Sequence, residues 1–145
     1  MKLVIVDDNN FLVETIHMYL EDKGYDVVSF SSPHKALEHC LHHHFDLLIT
    51  DLSMDGFDGI ELADRLREEK PNARVLLISG HVDEEDENQK AVFARHFDGA
   101  LSKPLLLEAL LLTIQEILDE PVKVLPPKLI THNKQSKSQV NSTSI

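Results

Sequence analysis

Five side chains stand where apolar runs end, and their types suit hard-cation and charge-stabilising chemistry. Asp7 and Asp8 follow Leu3-Val4-Ile5-Val6, and Asp51 closes Asp46-Leu47-Leu48-Ile49-Thr50. Ser79 follows Arg74-Val75-Leu76-Leu77-Ile78, and Lys103 follows Gly99-Ala100-Leu101-Ser102. In an open parallel sheet, ligands bind outside the carboxyl ends of the strands. One rim would then collect three carboxylates, a hydroxyl and an ammonium. Three carboxylates brought together repel one another, and a hard divalent cation relieves that repulsion. Mg²⁺ suits the set, because it takes one or two carboxylates, a backbone carbonyl and several waters.

The elements needed to position these groups are legible. Continuous apolar runs read as strands covered on both faces. Tyr25–Phe30 is a further short strand. Between the strands lie helical stripes: Phe11–Lys23, ended by Gly24; a helix opened by Ser32-Pro33 and running through Ala36, Leu37 and Leu41; and one opened by Asp58 with Glu61 three residues on, the pattern of a capping box. Asp83–Ala94 reads as a polar helix with four acids in its first turn, and Leu105–Glu120 as the last helix. Five strand–helix alternations imply an α/β fold, a five-stranded parallel sheet with helices on both faces, since parallel strands need crossovers.

In this order and spacing, Val4-Ile5-Val6-Asp7-Asp8, Asp46–Asp51, Met54 with Asp58-Gly59, Ile78-Ser79-Gly80 and Ser102-Lys103-Pro104 resemble the receiver domain of two-component response regulators. The resemblance covers residues 1–120. It implies a flavodoxin-like doubly wound (βα)5 fold, strand order 2-1-3-4-5, in a cytoplasmic protein. It implies that Asp51 accepts a phosphoryl group from a phosphohistidine on a sensor histidine kinase or a histidine phosphotransfer protein. Asp8, Asp51 and the Ser53 carbonyl would hold Mg²⁺, or Mn²⁺ in its place, with Asp7 assisting through a water. Lys103 would pair with a phosphoryl oxygen, and the Lys103-Pro104 bond is cis in relatives. Ser79 would hydrogen-bond the phosphoryl group and draw its loop along, biasing a two-state surface. Output would be a protein target or a homodimer on the face of the fourth and fifth helices, or onward transfer in a relay.

Two positions depart from the family pattern. Asp55 follows Met54 where many relatives have Pro. Ala100 lies three residues before the lysine, where relatives usually carry Tyr or Phe, so no aromatic ring can swing inward. Output would rest on Ser79 and the fourth helix, or His81 would fill the gap. Ser53 and His81 occupy positions that tune access of the hydrolytic water in the family.

Other features have plainer explanations. His39, Cys40, His42, His43 and His44 resemble a metal cluster, but they sit at a helix C-terminus, where histidine complements the dipole. Adjacent histidines on a helix also point in different directions, whereas structural zinc needs four convergent ligands. The leucines of 105–118 wrap more than one helix face, so a partner or the apolar part of 121–130 would cover some of them.

Composition narrows the functional classes. The chain has 145 residues and 14 basic against 25 acidic side chains, for a net charge of −11. Residues 121–145 hold four lysines and no acid, leaving ten basic against 25 acidic in residues 1–120, a net of −15. So acidic a body repels nucleic acid, and direct DNA binding is not expected. No run is long and apolar enough for a membrane span, and the single Cys40 cannot form an internal disulfide. Residues 121–145, rich in Pro, Lys, Ser and Asn, read as a flexible polar tail outside the domain.

Three rival functions are distinguishable. A phosphoaspartate-type hydrolase needs a second acid two residues after its nucleophile, where Ser53 stands. A flavin binder needs a Ser/Thr/Gly phosphate loop where Asp7-Asp8-Asn9-Asn10 stands. A phosphate-independent interaction module would tolerate Asp51→Asn.

Overall fold

The structure, a computed structural model, describes residues 1–80, 82–83 and 85–119. The expected tail of 121–145 and His81 lie outside the described residues. Ten elements alternate: β1 (Lys2–Val6), α1 (Asn10–Asp22), β2 (Asp26–Phe30), α2 (Pro33–His42), β3 (Leu47–Asp51), α3 (Gly59–Glu69), β4 (Val75–Ser79), α4 (Glu87–His96), β5 (Gly99–Ser102) and α5 (Leu107–Asp119). The five strands pair in parallel in the order 2-1-3-4-5. This is the doubly wound α/β architecture expected from the alternation.

Strand residues alternate between two cores because successive side chains point to opposite faces. Leu3, Ile5, Leu47, Ile49, Leu76 and Ile78 meet Val13, Ile16 and Leu20 of α1 and Leu110, Ile114 and Ile117 of α5. Val4, Val6, Leu48, Val75 and Leu77 meet Ala36 and Cys40 of α2, Leu62 and Leu66 of α3, and Phe93 of α4. Full burial of each large aliphatic side chain contributes roughly 1.5–3 kcal/mol. These two cores fix the strand register, which in turn fixes the rim.

Local capping sets where the helices start. Asn9, not Asp7 or Asp8, caps α1, its side chain accepting from Leu12 N at 3.1 Å. Ser32 caps α2 and Asp58 caps α3, the latter accepting from Glu61 N at 2.8 Å. The expected capping box is half formed: the Glu61 carboxylate turns to Arg65 one helical turn on, at 2.5 Å. The fourth helix begins at Glu87, four residues later than the sequence pattern implies. Asp83 accepts from Glu85 N and its carbonyl from Asp86 N, while Asp86 accepts from Asn88 N and Gln89 N. Aspartates that bond to nearby backbone N–H groups favour turns and caps over helix interiors. Only Glu87 therefore remains in the first turn.

The histidine run closes α2. His39 and His42 lie in its last turn and His43 is the C-cap. The Lys70 ammonium donates to the carbonyls of Cys40 at 2.6 Å and His43 at 3.0 Å. Burial, then the neighbouring His43, Lys2 and Lys70, lowers the His39 pKa. Burial pushes the Cys40 thiol up to about 12, leaving it inert.

Candidate functional site

The register delivers the strand ends to one level. Val6 lies opposite Thr50, Asp51 opposite Ile78, and Ser79 opposite Ser102. Asp7 follows directly on β1, Asp51 ends β3, Ser79 ends β4 and Lys103 follows β5. Asp7 is 1% exposed and Asp51 8%, and Ser79 is buried, while Asp8 is exposed.

One carboxylate oxygen from each of Asp7, Asp8 and Asp51 lies within 4.8 Å of the other two. Among the described residues no other group of three or more metal-donor side chains converges in this way. The Lys103 ammonium reaches across from β5, donating to Asp7 Oδ2 at 2.9 Å and Asp51 Oδ1 at 3.3 Å. Asp7 Oδ1 accepts from Asn9 N at 2.9 Å, which ties the carboxylate to the turn before α1. The Lys103 backbone N–H donates to the Ser79 carbonyl at 3.0 Å, and the Lys103-Pro104 peptide is cis.

Electrostatics separates the groups. Burial raises the Asp51 pKa, and the nearby Asp7 raises it further, against the opposing pull of Lys103 and the Leu52 N–H. Burial acting alone would lower Lys103, but its hydrogen bond and charge contact with Asp7, and then Asp51, outweigh burial and raise it. The ammonium is thus held charged between two buried carboxylates. A carboxylate with raised basicity in a polar cleft is a candidate reactive group.

Asp58-Gly59 has a steric reason. A Cβ on Gly59 would overlap the Asp51 backbone carbonyl. The Gly59 N–H donates to the Leu52 carbonyl at 2.8 Å, so α3 starts hard against the end of β3. The intervening loop turns at Gly56, with φ of +104°, a conformation open to glycine. Phe57 anchors it, buried between the His34 ring at 4.6 Å and the Arg65 guanidinium at 4.4 Å. Ser53 and Asp55 are exposed on this loop, and Pro104 is exposed beyond β5. Ala100 lies opposite Leu77 and packs, half-buried, against the α2–α3–α4 core. Asn9 and Thr50 went unnoticed in the sequence. Asn9 orients Asp7, and Thr50 Oγ1 donates to the Asp51 carbonyl at 2.8 Å. A backbone N–H makes the first of these bonds, so no residue type at position 9 signals it, and the Asn9 side chain caps α1 instead.

The family model described as "Response regulator receiver domain" matches residues 3–115. The chain is 28% identical over 117 residues to the transcriptional regulatory protein ResD of Bacillus subtilis, covering 81% of this chain and 48% of ResD. It is 29% identical over 108 residues to the autoinducer 1 sensor kinase/phosphatase LuxN of Vibrio harveyi, covering 74% of this chain and 12% of LuxN. The chain thus spans less than half the length of these relatives. The structure of the chemotaxis response regulator CheY4 of Vibrio cholerae superposes with a TM-score of 0.72 at 28% identity, covering 81% of this chain and 98% of CheY4. A CheY-like receiver domain protein of Methanospirillum hungatei has the same fold, with a TM-score of 0.74 at 24% identity, covering 81% of this chain and 93% of its own.

Proposed function

The chain belongs to the response regulator receiver domain family, and on that premise we propose that Asp51 is its phosphoacceptor. Receiver domains are phosphorylation-dependent signalling switches of two-component systems rather than dedicated enzymes. The observation that carries the assignment is the convergence of Asp7, Asp8 and Asp51 with the Lys103 ammonium on one strand-end rim.

The donor set fits a hard cation. All three side-chain ligands offer carboxylate oxygen, two of the three acids are buried, and one ammonium leaves their charge unbalanced. Asp7, Asp8 and Asp51, with the Ser53 carbonyl, would hold Mg²⁺, or Mn²⁺ in its place, which supplies charge neutralisation at the transferring oxygens. In the transfer itself an Asp51 carboxylate oxygen forms a bond to phosphorus. The N–P bond of the phosphohistidine breaks, and its electron pair returns to the imidazole. The donor is a sensor histidine kinase or a histidine phosphotransfer protein. Lys103, already against Asp51, stabilises the negative oxygens of the transferred group. Asp7 holds Lys103 in place from the far side.

Output follows from the added charge of roughly −1.5 to −2 and three acceptor oxygens. Ser79, at the end of β4, reorients toward the phosphoryl group and shifts the segment leading into α4. Ala100 carries no ring that could turn inward, so Ser79 and α4 carry the change alone. The changed α4–α5 face binds a protein target or a second copy, or Asp51 passes the phosphoryl group on in a relay. Residues 1–120 form the receiver unit and 121–145 lie outside it.

Intact-mass analysis tests the assignment. With Mg²⁺ and acetyl phosphate, the chain gains one phosphoryl group, and Asp51→Asn gains none. Equal gain in both, or no gain from any donor, overturns it. Labelling that persists in Asp51→Asn but disappears in another acid variant moves the acceptor elsewhere.

A further inference from the structure

Ser29, His17 and Glu21 form a hydrogen-bonded chain on α1 and β2, two strands away from Asp51. β2 alternates like the other strands. Val27 packs into the core of α1 and α5, and Ser29, two residues on, turns its side chain to the same face. The His17 ring of α1 meets it there, with Nδ1 2.5 Å from Ser29 Oγ. The other ring nitrogen, Nε2, lies 3.1 Å from Glu21 Oε2, one helical turn further along α1.

A carboxylate accepts and does not donate, so Glu21 places the proton of the neutral ring on Nε2. Nδ1 is then the bare nitrogen, and the Ser29 hydroxyl donates to it. A hydroxyl that needed only a partner would be satisfied by the ring alone. Here the carboxylate also fixes which nitrogen is basic, the arrangement that activates a hydroxyl for nucleophilic attack.

The position is open to a reagent. The His17 side chain is 29% exposed and Ser29 is half-buried. β2 is the outermost strand of the sheet. Asp26 N–H donates to the Met1 carbonyl, and Asp7 N–H to the Phe30 carbonyl. Asp26, Val28 and Phe30 therefore turn their backbone groups toward β1, while Val27 and Ser29 turn theirs to the unpaired edge. The Ser29 N–H thus faces outward beside its own hydroxyl, where it can donate to the oxygen of a carbonyl under attack. Exposed Glu21, Asp22 and Asp26 on the same two elements repel an anionic reagent.

We propose that Ser29 is a second nucleophile of this chain, activated by His17 and Glu21, and that it accepts an acyl group from a small uncharged ester or thioester. Ser29 Oγ forms a bond to the carbonyl carbon, and its proton passes to His17 Nδ1. The bond from that carbon to the leaving oxygen or sulfur then breaks, and the leaving group takes the proton from His17. The product is an acyl ester on Ser29, formed without any part for Asp51.

Acetylation of the full chain by p-nitrophenyl acetate without Mg²⁺ tests this, read by intact mass and peptide mapping. Ser29 should acetylate about 100-fold faster than exposed Ser31, the reference within the same peptide. Ser29→Ala should lose the fast phase of p-nitrophenol release. His17→Gln should slow acetylation of Ser29 about 100-fold and Glu21→Gln about tenfold, with Ser31 unchanged in both. Glu21→Gln, at an exposed position, carries the test if His17→Gln fails to fold. Acetyl groups on lysines with none on Ser29 overturn the proposal. Equal rates at Ser29 and Ser31 also overturn it. So does a Ser29 rate indifferent to both variants, which would leave the three side chains a purely structural link between α1 and β2.

Discussion

Two clusters of buried charge occupy opposite ends of the sheet and are balanced in opposite ways. At the amino ends of β4 and β5, Arg67 donates to the carbonyls of Ala73 and His96 and to Asp98 Oδ2 at 3.0 Å, with both ionic partners 12% exposed. Asp98 Oδ2 also accepts from Val75 N at 2.8 Å. Arg67 pairs directly with Asp98, Asp64 also acts on it and is bonded in turn to His96 Nδ1 at 2.9 Å, and backbone groups take up the remaining hydrogen-bonding capacity. At the carboxyl ends, three carboxylates meet one ammonium. The first cluster is closed, and it joins α3, β4 and the end of α4. The second carries surplus negative charge, which a fold tolerates where a cation or a reaction uses it. The contrast in charge balance separates a structural ion cluster from a functional one, and only Asp8 of the open cluster is exposed.

The largest effect should come from opening the closed cluster. Arg67→Met leaves Asp98 buried without its cation, and removing one partner of such a pair costs about 3 kcal/mol. Thermal unfolding should fall by roughly 10 °C for a chain of this size. Labelling of Asp51 at a temperature where the variant stays folded should be unchanged. A loss below about 1 kcal/mol would mean that the two clusters do not differ as described. Next comes Lys103→Met at the open cluster. Removing a positioned cation from a phosphoryl-transfer site slows the reaction about 100-fold, close to 2.7 kcal/mol of barrier. Time courses of mass gain from acetyl phosphate measure it. A rate within a few-fold of wild type would remove Lys103 from the transfer.

The two clusters were not equally legible in the sequence. The open one was readable because each member ends an apolar run, and parallel strands bring such ends together. Asp7, Asp51, Ser79 and Lys103 required only the alternation rule to be placed on one rim. The closed one was not, since Arg67 and Asp98 are 31 residues apart and each reads as an ordinary surface charge. Their pairing depends on how α3 packs against the loop before β5, which no local pattern specifies. The start of α4 was misplaced for a related reason. Five consecutive acids suit a helix N-terminus, but Asp83 and Asp86 form side-chain bonds that hold the chain in a turn first. Asp58 and Ser32, with helical stripes close behind, were placed correctly as caps.

The smallest effect concerns stability at the open cluster, and its sign is the sharpest discriminator. Burial and then Asp7 raise the Asp51 pKa above its ordinary value of 3.8, despite Lys103. Between 3.8 and that higher folded value the native state binds more protons than the unfolded chain. The stability contributed by this group is therefore complete below the ordinary value and is lost as pH rises through the folded one. At neutral pH the ionised carboxylate is a net liability, so Asp51→Asn should raise stability. The gain should disappear as pH falls below the ordinary carboxylate range, where wild type is protonated too. Urea midpoints of both proteins at pH 7 and in that acid range measure it. Asp98→Asn should have the opposite sign at pH 7, because it breaks a balanced pair rather than relieving an excess. Mg²⁺ should then stabilise wild type more than Asp51→Asn, since binding to the native state adds stability only where the ligand set is intact. A destabilised Asp51→Asn at pH 7 would show that Lys103 alone balances the rim, and the surplus charge that distinguishes the two clusters would no longer be required.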